Sequence, residues 1–146
     1  MREEKDYLPV YREPASYARE NGELSPYRVS QRENIACKEA IEESIRKHFD
    51  GMHLDKGCAG RVLDQFGEAR VKYVLSATLQ ELDYDGRFSR SNKEWGRQTE
   101  IIPSTRNYEF AVQSHPAVLD GFISDFRTEC QQRQMDHSVM QMNISM

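Results

Sequence analysis

Apolar side chains recur at helical spacing along most of the chain, and the recurrence marks where helices are expected. Cys37, Ile41, Ile45 and Phe49 repeat every fourth position, with Ala36 and Ala40 beside them, so one face of this segment points to a core. The opposite face carries Lys38, Glu39, Glu42, Glu43, Arg46 and Lys47, several at ion-pair spacing, as a solvated face does. Ser30 followed by Glu33 has capping-box spacing and sets the expected start, after a turn at Ser25-Pro26; Gly51 sets the end. A second stripe, Leu54, Cys58, Val62 and Phe66, follows Asp55 as expected N-cap and stops at Gly67. Gly57 and Gly60 fall inside it at a cost of roughly 1 kcal/mol each relative to alanine, which close approach of another helix backbone would explain. The densest apolar face, Val71, Val74, Leu75, Thr78, Leu79 and Leu82, predicts the central helix of the core from Glu68 to about Leu82.

Asp83-Tyr84-Asp85-Gly86 then breaks the pattern. Phe88 is expected to return to the core, and Ser89 or Ser91 to cap a short helix carrying Trp95. Ile101-Ile102-Pro103 and Tyr108-Phe110-Val112 alternate as short extended pieces do. Ser114-His115-Pro116 opens a last helix with Leu119, Phe122, Ile123 and Phe126 on one face. Near the N-terminus Pro14 starts a short helix that Asn21-Gly22 ends, and Tyr7, Leu8, Val10 and Tyr11 suit an arm docked on the body. The expected organisation is an arm over residues 1–13, a helical domain over 14–130 and a flexible tail over 131–146. The expected fold class is mainly α: a single compact helical domain of five to six helices with at most a small β-hairpin.

Composition narrows the function more than it changes the fold. A chain of 146 residues buries enough surface to fold without disulfides or metal. Its three cysteines, Cys37, Cys58 and Cys130, are widely spaced, without a C-x-x-C pair, and read as reduced thiols. The first residues lack the apolar core of a secretory signal, and no apolar run reaches membrane-spanning length, so a cytoplasmic protein without membrane contact is expected. The 24 acidic and 20 basic side chains are well mixed and net to -4, which excludes a polyanionic decoy and a generally basic nucleic-acid binder. Recognition by charge must be local.

The leading local candidate is the series Arg87, Arg90, Lys93 and Arg97, whose spacing places the cations on one side of the short helix, with Trp95 as a stacking surface. Such a patch suits phosphates or an acidic protein surface; its bland alternative is a solvated face with Trp95 in the core. Asp83, Asp85 and Gly86 match part of a calcium loop with Glu81 at its first position, but Asn92 stands where a bidentate glutamate belongs, so no metal is expected. An Asp-stabilised turn explains the same residues. His48, His53, His115 and His137 stand alone, and Cys37 and Cys58 lie on apolar stripes, so no catalytic set and no cofactor is expected. Glu39, Glu42 and Glu43 are interrupted by cations, which weakens a phosphate-mimic reading, and Tyr7, Tyr11 and Tyr27 suit interface or arm-docking roles.

One further signal is a resemblance. Tyr17-Ala18, Gly22-Glu23, Tyr27, Ser30, Asn34, Cys37 and Ala40-Ile41 form its first part. Arg70-Val71, Tyr73-Val74-Leu75, Thr78, Asp85-Gly86-Arg87, Ser89, Asn92 and Trp95 form its second. Together they resemble a family of uncharacterised domains found in accessory proteins of conjugative elements and phages of gut Firmicutes, often fused to other domains. The likeness runs from about Tyr11 to Phe126. It carries no catalytic residues across. It implies a context in which small free-standing proteins include inhibitors of type II CRISPR nucleases, and the absence of a fused domain fits such an inhibitor as well as it fits an excised domain. The resulting expectation is an anti-CRISPR protein that binds the nuclease, with or without its guide RNA or target DNA, through Arg87, Arg90, Lys93, Trp95 and Arg97. The alternative is a nucleic-acid-binding or assembly module of a conjugative element.

Overall fold

The computed structural model describes residues 6–101 and 108–145, with side chains described as far as Asp136 except that of Tyr108. Among the described residues six α-helices follow one another: α1 (Ala15–Glu20), α2 (Leu24–His48), α3 (Gly60–Phe66), α4 (Glu68–Glu81), α5 (Arg90–Arg97) and α6 (Pro116–Ser145). A 3₁₀ turn, Tyr108–Phe110, precedes α6. The mainly helical single domain expected from the periodicity is the fold observed. No described helix is long and apolar enough to cross a membrane.

Helix α4 is buried around most of its circumference, with Arg70, Val71, Tyr73, Val74, Leu75, Ser76, Thr78 and Leu79 all inside. The stripes of α2 (Cys37, Ile41, Ile45), α3 (Val62, Leu63, Phe66) and α6 (Leu119, Phe122, Ile123, Phe126) close around it. Full burial of each large aliphatic or aromatic side chain contributes about 1.5–3 kcal/mol, so this shared core dominates the stability. Tyr73 and Phe110 stack with ring centroids 5.9 Å apart.

Several local expectations are corrected. Helix α2 starts at Leu24, so Ser25-Pro26 is no turn: the proline occupies a first-turn position, where a missing N–H costs nothing. Ser30 is therefore no cap. It is buried within α2, and its hydroxyl accepts the Tyr11 N–H and an Arg70 N–H at 2.9 and 3.0 Å. Helix α3 starts at Gly60 rather than Asp55, and Gly57 lies in the preceding turn at φ 83°, which explains that glycine without any helix crossing. The turn leading into α3 is held from far along the chain: Asp125 of α6 accepts the Gly57 and Ala59 N–H groups at 2.7 and 2.9 Å. A β-carbon on Gly60 would meet the Glu129 carboxylate, not a backbone. Tyr108–Phe110 is 3₁₀ rather than extended, and Ile102 and Pro103 lie outside the described residues.

Helix α6 continues to Ser145, through the stretch whose composition suggested a flexible tail. Beyond Cys130 its register is tied by polar contacts: Arg133 pairs with Asp64 at 2.7 Å and donates to the Gly60 carbonyl at 3.2 Å. At the other end of the chain the arm is fixed by Arg70. This buried guanidinium donates to the Leu8 and Pro9 carbonyls as well as to Ser30 and Asn34.

Candidate partner-binding surface

The corner between α4 and α5 is built by side chains on backbone. Asp85 accepts the Arg87 N–H at 2.9 Å and takes the same residue's guanidinium on both oxygens, at 3.0 and 2.8 Å. These Arg87 contacts, and Lys93 more weakly, hold the Asp85 carboxyl down at about 2. Ser89 caps α5 by accepting the Asn92 N–H at 3.1 Å, so of the two expected candidates it is Ser89 and not Ser91 that serves. Phe88 returns to the core as expected.

Helix α5 is fastened from below. Asn92 is buried, donates to the Asp120 carboxylate at 2.8 Å and to Ser124 at 3.1 Å, and accepts from Arg127 at 2.7 Å. Gly96 lies flat on Leu79, where a β-carbon would come within 2.8 Å of Leu79 Cδ1. Gln80 donates to the Gly96 and Thr99 carbonyls at 2.9 and 2.7 Å. An eight-residue helix is too short to be stable alone, and these ties supply its stability.

The expected site residues divide. Arg90, Lys93 and Arg97 do share the outward face of α5, opposite buried Asn92 and Gly96. Trp95 does not join them. It is half-buried on the other side, edge-on to Phe126 at 5.9 Å, with the Arg127 guanidinium 5.8 Å from its ring centre. Each arginine of the series also meets a carboxylate: Arg87 with Asp85 at 2.8 Å, Arg90 with Glu94 at 3.2 Å and Arg97 with Asp83 at 2.8 Å. The face is a mosaic of both signs. Helical spacing placed Arg90, Lys93 and Arg97 on one face, but Arg87 lies in the turn before α5 and not on the helix. The pairing of Arg87 with Asp85 and of Arg97 with Asp83 is read only from the folded turn.

Sequence reasoning passed over Tyr84. It sits in the corner between the two Asp/Arg pairs and is 82 % exposed. A tyrosine between two turn-forming aspartates has no apolar neighbour in sequence to bury with, and that was the available signal.

The remaining candidates are occupied within the fold. Asp83 and Asp85 are held by arginines, Asn92 faces α6, and among the described residues no group of three or more His, Cys, Asp or Glu is placed to hold a metal ion. Glu42 pairs with Lys38 and accepts the Gln113 N–H at 2.7 Å; Glu43 meets Arg46 and Lys47. Tyr7 donates to the Asp64 carbonyl, Tyr11 to Glu23, and Tyr11 meets Tyr27 edge-on, so these tyrosines dock the arm. Burial raises all three thiols: Cys58 to about 12 with the Asp125 carboxylate adding, Cys130 to about 12 with Glu68 adding, and Cys37 further. His115 accepts the Ala117 N–H at the start of α6, the helix-start role expected of it. A cavity of about 400 Å³ beside Trp95 is lined mainly by polar groups, including Lys72, Arg127 and Gln131.

Core and surface together define a small, mainly helical domain that presents one rigid, mixed-charge corner. The chain belongs to the DUF3849 family, proteins of unknown function, whose family model matches residues 10–131. No curated protein and no solved structure matches it.

Proposed function

We propose that this protein is a mobile-element-encoded inhibitor that binds a type II RNA-guided nuclease in the cytoplasm and blocks target DNA engagement or cleavage by stoichiometric contact, without catalysis. The resemblance described above supplies the class of partner. The observation that carries the choice of contact is the pairing of Arg87, Arg90 and Arg97 with Asp85, Glu94 and Asp83 across α5 and the turn before it, with α5 bonded to α6. A face of alternating sign suits a protein surface of complementary pattern, whereas carboxylates beside each arginine weaken attraction to bare phosphates. This favours a protein contact over the nucleic-acid module of a conjugative element.

The test mixes purified protein with guide-loaded type II nucleases and target DNA. Cleavage should stop near one inhibitor per nuclease, at either the DNA-engagement step or the later conformational step that licenses cutting. Full cleavage at several-fold excess across several orthologues would reject the proposal. A mobility shift of free DNA or RNA that weakens steeply with salt would instead support the nucleic-acid reading.

A further inference from the structure

We infer that Tyr84 is the anchor of the contact, a side chain that enters a socket on the protein partner while the flanking Asp83–Arg97 and Asp85–Arg87 pairs set its register. This rests on reading the protein as one that acts by contact with a protein, and it names the residue on which that contact turns.

Exposure alone does not single Tyr84 out, since Met52 is equally exposed at 82 %. A stiff ring on a fixed backbone does. The Tyr84 backbone lies between two aspartates that are both fixed. Asp85 N donates to the Leu82 carbonyl at 2.9 Å, and the Asp85 carboxylate is bound twice by the Arg87 guanidinium. Asp83 accepts from Arg97 at 2.8 Å, tying the turn to the last turn of α5. Helix α5 is in turn bound to α6 through Asn92. The tyrosine is thus held out into water on a backbone whose ordering cost has already been met in the free protein, the condition under which a buried aromatic gives the most affinity. The Met52 loop is closed as well, by Asp50 accepting the Met52 and His53 N–H groups and by the Asp50 and Asp55 N–H groups donating to the His53 and His48 carbonyls. Its side chain differs: an unbranched thioether with three rotatable bonds must be ordered on binding, whereas the tyrosine ring is stiff.

The chemistry around Tyr84 describes the partner. Tyrosine and arginine are the residues that dominate protein interfaces, typically with the aromatic central and charges at its edge. The complementary surface has an apolar socket the size of a phenol ring, an acceptor for the hydroxyl, and a rim carrying both signs of charge. A phosphate backbone is a poor match, because Asp83 and Asp85 flank Tyr84 in the turn.

The experiment titrates guide-loaded nucleases with full-length wild type, Tyr84→Ala, Tyr84→Phe and Met52→Ala, reading both binding and cleavage, with circular dichroism confirming the fold. Tyr84→Ala should weaken binding about 30-fold or more, the loss typical of a central aromatic anchor, while Met52→Ala stays at the wild-type value. Tyr84→Phe should keep most of the affinity, because the ring supplies most of the buried area. Wild-type inhibition with Tyr84→Ala unchanged would overturn the anchor and leave the inhibitor reading standing. Failure of wild type to bind any nuclease in the panel would overturn both. Tyr84-independent binding of free nucleic acid would replace the socket with a phosphate surface and overturn the anchor as well.

Discussion

At the scale of single residues, Asp85 carries a carboxyl shift with a clear charged cause. Its carboxyl sits at about 2 in the folded protein, against an ordinary value near ~3.9, because Arg87 donates to it from both side chain and backbone. A carboxyl depressed on folding contributes stability above its unfolded value, and that contribution disappears as pH falls from about 4 through about 2. Replacing Arg87 by Gln removes the charge but keeps the backbone donor. The Asp85 carboxyl should then titrate higher, between about 2 and the ordinary value, in an NMR pH series; an unmoved midpoint would show that the backbone N–H alone sets it. Asp85 as a turn residue was legible in the sequence, because Asp-x-Asp-Gly restricts the backbone locally. Ser30 and Asp55 were misread for the opposite reason. Capping boxes and N-caps are short-range patterns that any Ser-x-x-Glu or Asp meets by chance, and Ser30 was claimed by Tyr11 and Arg70, residues 19 and 40 positions away.

At the scale of elements, α5 shows how a weak helix is made rigid by its neighbours. Its two glycines, one inside it and one before it, are expected to respond oppositely to alanine. Gly96 rests on Leu79, itself fully buried, and a β-carbon would lie 2.8 Å from Leu79 Cδ1 and 3.0 Å from its Cβ, so one of the two helices must shift. Gly96→Ala should therefore destabilise the protein by about 1–3 kcal/mol in urea unfolding. Gly86 has open space around it and is not among the glycines at positive φ. Gly86→Ala should change stability by less than about 0.5 kcal/mol or raise it by up to about 1. Loss at Gly86 with none at Gly96 would mean that the corner, not the α4–α5 crossing, is the tight point. Periodicity located α2, α3, α4 and α6 because each buries a stripe. It misplaced the start of α2, where Leu24 to Val29 contribute no fully buried side chain, and it did not extend α6 past Cys130, where Arg133 is tied by polar contacts to Asp64 and Gly60.

At the scale of the whole molecule, the apolar core was readable while the polar ties between distant segments were not, since no local pattern announces that Asp125 holds the turn before α3 or that Asn92 joins α5 to α6. Arg70 is the most consequential of these ties. It is only 2 % exposed, and its donors meet neutral oxygens from the arm and from α2. Burial accordingly lowers its pKa. Arg70→Met keeps the apolar volume of the stem but leaves the Asn34 carboxamide without this donor. The Leu8 and Pro9 carbonyls escape that penalty, because the arm is free to lift and hydrate. The expected loss is about 2–4 kcal/mol in urea unfolding, mostly from the buried acceptors. Hydrogen exchange separates the two effects: the Tyr11 amide, bonded to Ser30, should exchange at a free energy well below that of the α4 amides once the clamp is gone. If Tyr11 instead keeps the protection of α4 while global stability falls, the arm is held by its tyrosines, and Arg70 serves the α2–α4 contact alone.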